Sequence, residues 1–218
     1  MRIVSINVSK VREVTLSDGS SSGRTGIFKQ PTSGPVRLET RGFAGDEQAD
    51  RRHHGWPTQA AYAFSMQEYA YWNKTLGRTD LAYGLFGENL TVDGLDDEAI
   101  CIGDIYTIGS ARVQVTFPRV PCSTLAMAVN DKSFVKAFLA RRRCGPYFSV
   151  LSSGAVAIGD SLVLESADPA RLSLSEAMYL MHEAENATER WEAAARIRAL
   201  DTRWQTKFLA KAKEATPH

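Results

Sequence analysis

In the stretch TFPRVPCSTLA, residues 116–126, one of the chain's three cysteines, Cys122, follows two prolines and precedes small polar residues, with Arg119 three positions upstream. Pro118 and Pro121 fix φ and remove backbone donors, so these residues predict an ordered loop of stiff path that presents the thiol. A presented thiolate can act as the nucleophile of a hydrolase or carry sulfur as a persulfide. Arg119 favours that thiolate if the loop folds its guanidinium toward the sulfur, and a helix starting soon after Ser123 would add to the effect. As a nucleophile Cys122 needs a base, for which His54 is the candidate. A third residue must orient the histidine, and Asp46 or Asp50 would serve.

Those last residues belong to GFAGDEQADRRHHGWPTQAAYAF, where Asp46, Glu47, Asp50, Arg51, Arg52, His53 and His54 crowd into nine positions. Charge at that density, taken alone, reads as a solvated loop whose members pair with one another. Adjacent histidines point apart in a strand, so they make a poor two-histidine metal site. A third stretch, YGLFGENLTVDGL, places Glu88 and Asn89 after Gly87. They read either as site groups or as a turn whose side chains bond the backbone ahead of a strand. Cys101, inside AICIGD, reads as a small buried hydrophobe, while Cys144 either lines a pocket or packs.

The elements that must hold these residues are strands before Asp168 and helices after it. RIVSINV, PVRLE, NLTVDGL, DIYTIGSARVQVTF and YFSVLSSGAVAIGDSLVLE, separated by Gly, Ser and Asp turns, predict a mainly β, barrel-like body over residues 1–168. In ARVQVTF, Val113, Val115 and Phe117 share one face, and Arg112, Gln114 and Thr116 the other. Pro118 then ends the strand, which places Cys122 just past a strand end. Two helices interrupt the body: MQEYAYWNKTL, with a capping box from Ser65 and Glu68 and a stop at Gly77, and SFVKAFLARRR, with Phe134, Ala137, Phe138 and Arg141 on one face. Over residues 169–218, Ser173 with Glu176, Asn186 with Glu189, and Asp201 mark the starts of three short helices. That segment is marginal alone and packs on the barrel or on a partner. SDGSSSGRTG reads as a flexible loop.

The bulk composition narrows the class. With 218 residues, 44% of them hydrophobic and 23% charged, the chain can bury a sizeable core. A formal net charge of +1 gives no global footprint for nucleic acid or membrane. Met1 to Lys10 lacks the uninterrupted apolar core of a signal peptide and no later run approaches a membrane span, so a cytoplasmic protein is expected. Three cysteines without paired spacing exclude a disulfide scaffold, a zinc ribbon and a four-cysteine iron–sulfur cluster.

Taken together, GDEQADRRHHGWP, FGENLTVDGL and GDIYTIGSARVQVTFPRVPC resemble, in order and spacing, the motifs of MOSC-domain proteins, the family named for the C-terminal domain of molybdenum-cofactor sulfurase. GRTGIFKQPTSGPV and RLSLSEAMYLMH carry a closer resemblance to the YiiM-type branch, which has a small three-helix domain after its barrel. The resemblance implies a MOSC β-barrel binding a molybdopterin-type molybdenum cofactor, with Cys122 as the metal ligand. A metal held by a pterin dithiolene suits a further soft anionic ligand, and a thiolate is the side chain of that kind. His54 matches the histidine before the glycine turn, and Arg143 matches the motif arginine. For the cofactor's phosphate the anchor candidates are Arg51, Arg52, Arg119 and the run from Arg141 to Arg143, with Glu88 and Asn89 as further cofactor-binding residues. Cys144 and Pro146 replace the usual Thr and Trp, and Trp56 stands where a second glycine is common. The wider family is also associated with pyridoxal phosphate binding.

The activity that the resemblance implies is reduction of N-hydroxylated compounds, small molecules such as N-hydroxylated purine analogues, in detoxification. No GxGxxG follows a strand and the cysteines are too few for an iron–sulfur cluster. Electrons are therefore expected from a separate reductase, a flavoprotein or a ferredoxin-type protein. The alternatives are a sulfur carrier or donor acting through a Cys122 persulfide in cofactor maturation, a cysteine hydrolase using His54, and a non-catalytic cofactor-binding module. A homodimer is compatible with the helical tail.

Overall fold

The computed structural model describes residues 1–15, 22–49 and 55–215. In chain order the strands are β1 (Arg2–Val8), β2 (Arg12–Thr15), β3 (Ser22–Thr25), β4 (Gln30–Pro31), β5 (Val36–Glu39), β6 (Gly42–Phe43), β7 (Ala61–Ser65), β8 (Leu90–Asp93), β9 (Ile105–Ile108), β10 (Ala111–Pro118), β11 (Pro146–Ser152), β12 (Gly154–Val156) and β13 (Leu162–Ser166). The helices are α1 (Met66–Thr75), α2 (Ser123–Val129), α3 (Phe134–Arg141), α4 (Leu174–His182), α5 (Thr188–Ala195) and α6 (Thr202–Ala215). Eight strands form one sheet in the order β13-β9-β10-β11-β7-β8-β1-β4, antiparallel except where β7 pairs with β8. A three-stranded sheet, β12-β5-β6, and the β2-β3 hairpin complete the strands. The hairpin claims Ser22–Thr25 from the stretch expected to be a loop.

Two expectations are corrected. Strand and helix take nearly equal shares of the described residues, so the chain is not mainly β. Among the described residues the large sheet also does not close into a barrel. β1 gives its second edge to β4 at Asn7 and Val8, and the β13 end reaches β1 only through an isolated bridge between Arg2 and Ser161.

The strand read from ARVQVTF alternates as expected, with one exception. Thr116 points away from Val115 and Phe117 yet is buried, because its hydroxyl lies 2.6 Å from the Thr58 carbonyl and 3.0 Å from that of Tyr147. β7 is a strand that periodicity misses. All five of its residues are buried, and a short continuous apolar run covered on both faces carries no alternation to read.

The helices follow packing more than local signals. Ser65 precedes α1, but its hydroxyl bonds Gln67 at 3.0 Å and no capping box forms. Glu68 is instead held by the Arg141 guanidinium, 73 positions away, at 3.0 and 2.8 Å. α1 and α3 meet through Phe64, Trp72, Phe86, Phe134 and Phe138, with Phe64 and Phe86 ring centroids 4.6 Å apart and Trp72 and Phe134 4.7 Å apart. Burying each such ring contributes about 1.5–3 kcal/mol. Ser173 caps α4 as expected, accepting the Glu176 amide at 3.1 Å, and Asp201 caps α6 by accepting the Arg203 amide at 3.0 Å. Asn186 caps nothing: it takes a left-handed conformation, and α5 starts after Ala187 without a side-chain cap. α6, expected to be short, runs for 14 residues. α4 to α6 share the core of the sheet, with Phe117 of β10 and Trp204 of α6 in ring contact at 6.0 Å. Among the described residues, no helix is long and apolar enough to cross a membrane.

Candidate functional site

A cavity of about 320 Å³ opens where the loops after β3, β6 and β10 and the loop leading into β8 meet β7 and β11. Its lining includes Cys122, Arg119, Tyr62, Tyr147, Asn89, Gln59, Lys29 and Arg24. The loop after β10 is stiff, as its prolines require, and the Arg119 amide donates to the Gly145 carbonyl at 3.0 Å. Cys122 is half-buried with an extended backbone, and it is the residue from which α2 starts. The thiol is thus presented past a strand end and ahead of a helix, as the sequence leads one to expect. Cys101 and Cys144 are buried, and burial pushes both of their thiol pKa values up. Among the described residues, Cys122 is the cysteine that faces the cavity.

Arg119 is 5% exposed and has no carboxylate partner among the described residues. Its Nη1 lies 3.5 Å from the Val120 carbonyl, and its guanidinium sits 5.5 Å from the Tyr62 ring centroid and 6.0 Å from that of Phe138. The Tyr62 hydroxyl donates to the Cys144 carbonyl at 2.8 Å. Burial raises the phenol pKa of Tyr62 and of Tyr147 against the opposing pull of Arg119, so both stay protonated near neutrality. Gln59 is 8% exposed, and its Oε1 has no hydrogen-bond partner among the described residues.

A buried network stiffens the opposite wall. Lys29 Nζ lies 2.5 and 2.6 Å from the two carboxylate oxygens of Asp46. The same carboxylate accepts the Ser9 amide at 2.9 Å and Asn89 Nδ2 at 2.9 Å. Asn89 also accepts the Tyr62 amide through Oδ1 at 3.2 Å, donates its own amide to the Tyr62 carbonyl at 2.8 Å and accepts the Asn7 amide at 2.7 Å. The cationic charge of Lys29 is therefore matched by Asp46, whereas that of Arg119 is not.

Of the residues singled out in the sequence, Cys122, Arg119 and Asn89 meet at this cavity. Asp50, Arg51, Arg52, His53 and His54 lie outside the described residues; Ala49 and Gly55, on either side of them, line the cavity. Glu88 is placed elsewhere. It is fully buried beneath the site, accepting from the Gly84 amide at 2.8 Å, the Thr91 hydroxyl at 2.8 Å and the Tyr69 hydroxyl, and burial raises its carboxyl pKa. Arg143 does not line the cavity, because Asp96 at 2.5 Å and Glu98 at 2.7 Å hold its guanidinium. Arg141 is taken by Glu68 and Arg142 by Glu183. Cys144 packs against the core, Tyr147 lines the cavity, and Trp56 stands 47% exposed beside Gly55.

Lys29, Gln59 and Arg24 are site residues that sequence reasoning missed. Lys29 and Arg24 lie within GRTGIFKQPTSGPV, but a lone lysine gives no local sign of a buried carboxylate partner. Gln59 carries no signal beyond Pro57, which fixes the turn before it.

A family model for the MOSC domain matches residues 50–163, and the chain belongs to the MOSC domain family. Within that family its likeness is to YiiM: the crystal structure of YiiM from Geobacillus stearothermophilus superposes with a TM-score of 0.82 at 30% identity, covering 97% of this chain and 98% of that one. The chain is 36% identical over 218 residues to the uncharacterized protein YflK of Bacillus subtilis, which spans 99% of this chain and 96% of the relative. It is 31% identical over 160 residues to a protein of Gibberella moniliformis named a reductase, a match that spans 71% of this chain and 28% of that longer protein.

Proposed function

We propose that the chain is a molybdenum-cofactor-dependent oxidoreductase that reduces N-hydroxylated compounds, N-hydroxylated purine analogues among them, with Cys122 as the metal ligand. The observation that carries this reading is a coincidence in one cavity: a half-exposed thiol, a buried guanidinium with no carboxylate partner among the described residues, and the unbonded side-chain oxygen of Gln59. Membership of the MOSC domain family, which is associated with molybdenum-cofactor binding, supports it, as does the relative named a reductase.

The donor set fits such a group. Among the described residues no three His, Cys, Asp or Glu side chains gather as a metal site, and one thiol suits a metal that arrives already held by its cofactor's sulfurs. Arg119 offers a planar fork to an anionic or phosphate oxygen, in surroundings where that contact is worth more than in water. The Gln59 amide, its oxygen unbonded among the described residues, matches the polar edge of a heterocycle, and the rings of Tyr62 and Tyr147 form walls for its flat faces. When bound, the cofactor supplies a two-electron metal centre that can take the oxygen of an N–OH group. Cys122 then contributes a thiolate, and Arg119 balances negative charge. The protonated phenols of Tyr62 and Tyr147 would add uncharged ring faces to a lining that is otherwise mostly polar. Overall, two electrons and two protons convert each N–OH to N–H and water. A separate flavoprotein or ferredoxin-type reductase supplies the electrons.

The test is molybdenum and pterin analysis of chain purified from a host that makes the cofactor. Stoichiometric molybdenum whose thiolate signature is lost on Cys122→Ser supports the assignment; absence of both metal and pterin refutes it, and a persulfide on Cys122 without metal favours the sulfur-carrier alternative.

A further inference from the structure

One wall of the cavity is held from the far end of the chain. Gly55 and Gln59 both line the cavity. Between them Pro57 starts a single 3-10 turn, closed by the Gln59 amide on the Trp56 carbonyl at 2.7 Å. The turn has two anchors. Its Thr58 carbonyl accepts the Thr116 hydroxyl of β10 at 2.6 Å, and the Thr58 hydroxyl donates to Asp201 Oδ2 at 2.7 Å, across 143 positions of sequence. Asp201 is 3% exposed and caps α6, and Arg203 grips its carboxylate through Nε at 2.8 Å and Nη2 at 3.0 Å. The same guanidinium lies 5.3 Å from the Trp56 ring centroid and 5.7 Å from that of Phe117, whose ring is 5.0 Å from that of Tyr147 in the cavity wall.

We propose that Asp201 and Arg203 are positioning residues of the site: the first turn of α6 clamps the 55–59 wall, and so sets the Gln59 amide against which the polar edge of a substrate docks. The C-terminal helices thereby take part in substrate choice. The substrate named rests on the function proposed above; the clamp does not. A hydroxyl bonded to a buried carboxylate is a charge-assisted contact, among the stronger kinds. Without it the turn keeps the Thr116 anchor alone and can pivot. A wall free to pivot binds the substrate less tightly while Cys122 and Arg119 keep their places, so the loss falls on KM more than on kcat.

Thr58→Val removes the hydroxyl at nearly constant shape, Thr58→Ser restores it, and Arg203→Met removes the cation behind Trp56. In full chain made in a host lacking the cofactor, iodoacetamide alkylation of Cys122, read by mass spectrometry, reports how open the wall is, since Cys101 and Cys144 are buried. Thr58→Val and Arg203→Met are expected to be alkylated several-fold faster than wild type, and Thr58→Ser at the wild-type rate. Trp191→Phe, which removes the indole bond to the Leu180 carbonyl elsewhere in the helical layer, should lower Tm and leave that rate unchanged. In the loaded chain, Thr58→Val should raise KM for an N-hydroxylated purine about tenfold with kcat within about twofold. Alkylation of Thr58→Val and Arg203→Met at the wild-type rate overturns the clamp. Absence of wild-type turnover would refute the functional reading, and alkylation would still decide the clamp.

Discussion

Replacing Arg119 by methionine should stabilise the ligand-free chain and abolish its cofactor binding. Among the described residues the guanidinium, 5% exposed, meets no carboxylate and has the Val120 carbonyl at 3.5 Å as its polar contact. A charge taken out of water without a partner costs several kcal/mol even after local relaxation. The contacts with the Tyr62 and Phe138 rings, at 5.5 and 6.0 Å, offset about 1–2 kcal/mol of that. Methionine keeps the apolar stem and fills similar volume, so the net expectation is a gain of about 1–3 kcal/mol. For a chain of this length each kcal/mol moves Tm by about 2–4 °C, which puts the rise at roughly 2–12 °C. The assay is thermal unfolding of both proteins from a cofactor-deficient host, followed by molybdenum and pterin content from a competent one. Arg119→Lys, which keeps the charge and loses the planar fork, should show little gain in Tm and weakened cofactor retention. If Arg119→Met melts at or below the wild-type temperature, the arginine is a structural residue held by its aromatic neighbours, and its role as an anion anchor falls.

Cys122→Ser should fold with a Tm close to wild type, since the residue sits half-exposed on a loop, while the metal's thiolate signature and N-hydroxyl reduction disappear together; full activity in this variant would remove the central assignment. Burial raises the Asp97 carboxyl from 3.8 to about 7, against the Gly145 amide that donates to it at 2.7 Å. The folded chain therefore holds this proton more tightly than the unfolded chain, and the resulting stability, on the order of 4 kcal/mol, is present below about pH 4 and lost as pH rises through about 7. Asp97→Asn should flatten Tm between pH 4 and 8 and raise it at pH 8; an unchanged slope would show that Asp97 does not titrate in this window. The purified, loaded chain should not turn over an N-hydroxylated purine with NAD(P)H alone, and should do so with reduced viologen or an added reductase. Turnover with NAD(P)H in a preparation shown free of reductase would overturn the separate-donor scheme.

The parts of the site legible in the sequence are those whose chemistry and backbone setting are local. Cys122 is readable because two prolines and a following helix start lie within a few residues of it, and Arg119 because it shares that loop. Ser173 and Asp201 announce helices for the same reason, each bonding an amide two or three positions on. What was not legible is decided by partners far away in the chain. Glu68 forsakes the cap at Ser65 for Arg141, Arg143 is drawn off by Asp96 and Glu98, and Lys29 is neutralised by Asp46. Nothing adjacent to Glu88 foretells the Tyr69 hydroxyl that bonds it, or to Gln59 the wall that leaves its oxygen unbonded. The shape of the sheet is hidden from the sequence for a related reason. Strand count is local, but whether its edges meet depends on how β1 divides its hydrogen bonds between β8 and β4.

The several-way bonding of Asn89 bears on when the binding site can exist during synthesis. Its main chain and side chain join Asn7 of β1, Tyr62 of β7 and the Asp46 carboxylate, three segments that leave the ribosome tens of residues apart. Each of these closures spans a long loop and so falls late in folding. The thiol at Cys122 follows about thirty residues after this hub, and Asp201, which fastens the 55–59 wall, emerges later still. A nascent chain therefore has no finished cavity until the first turn of α6 is free of the exit tunnel, and a cofactor offered before that point meets an incomplete set of donors.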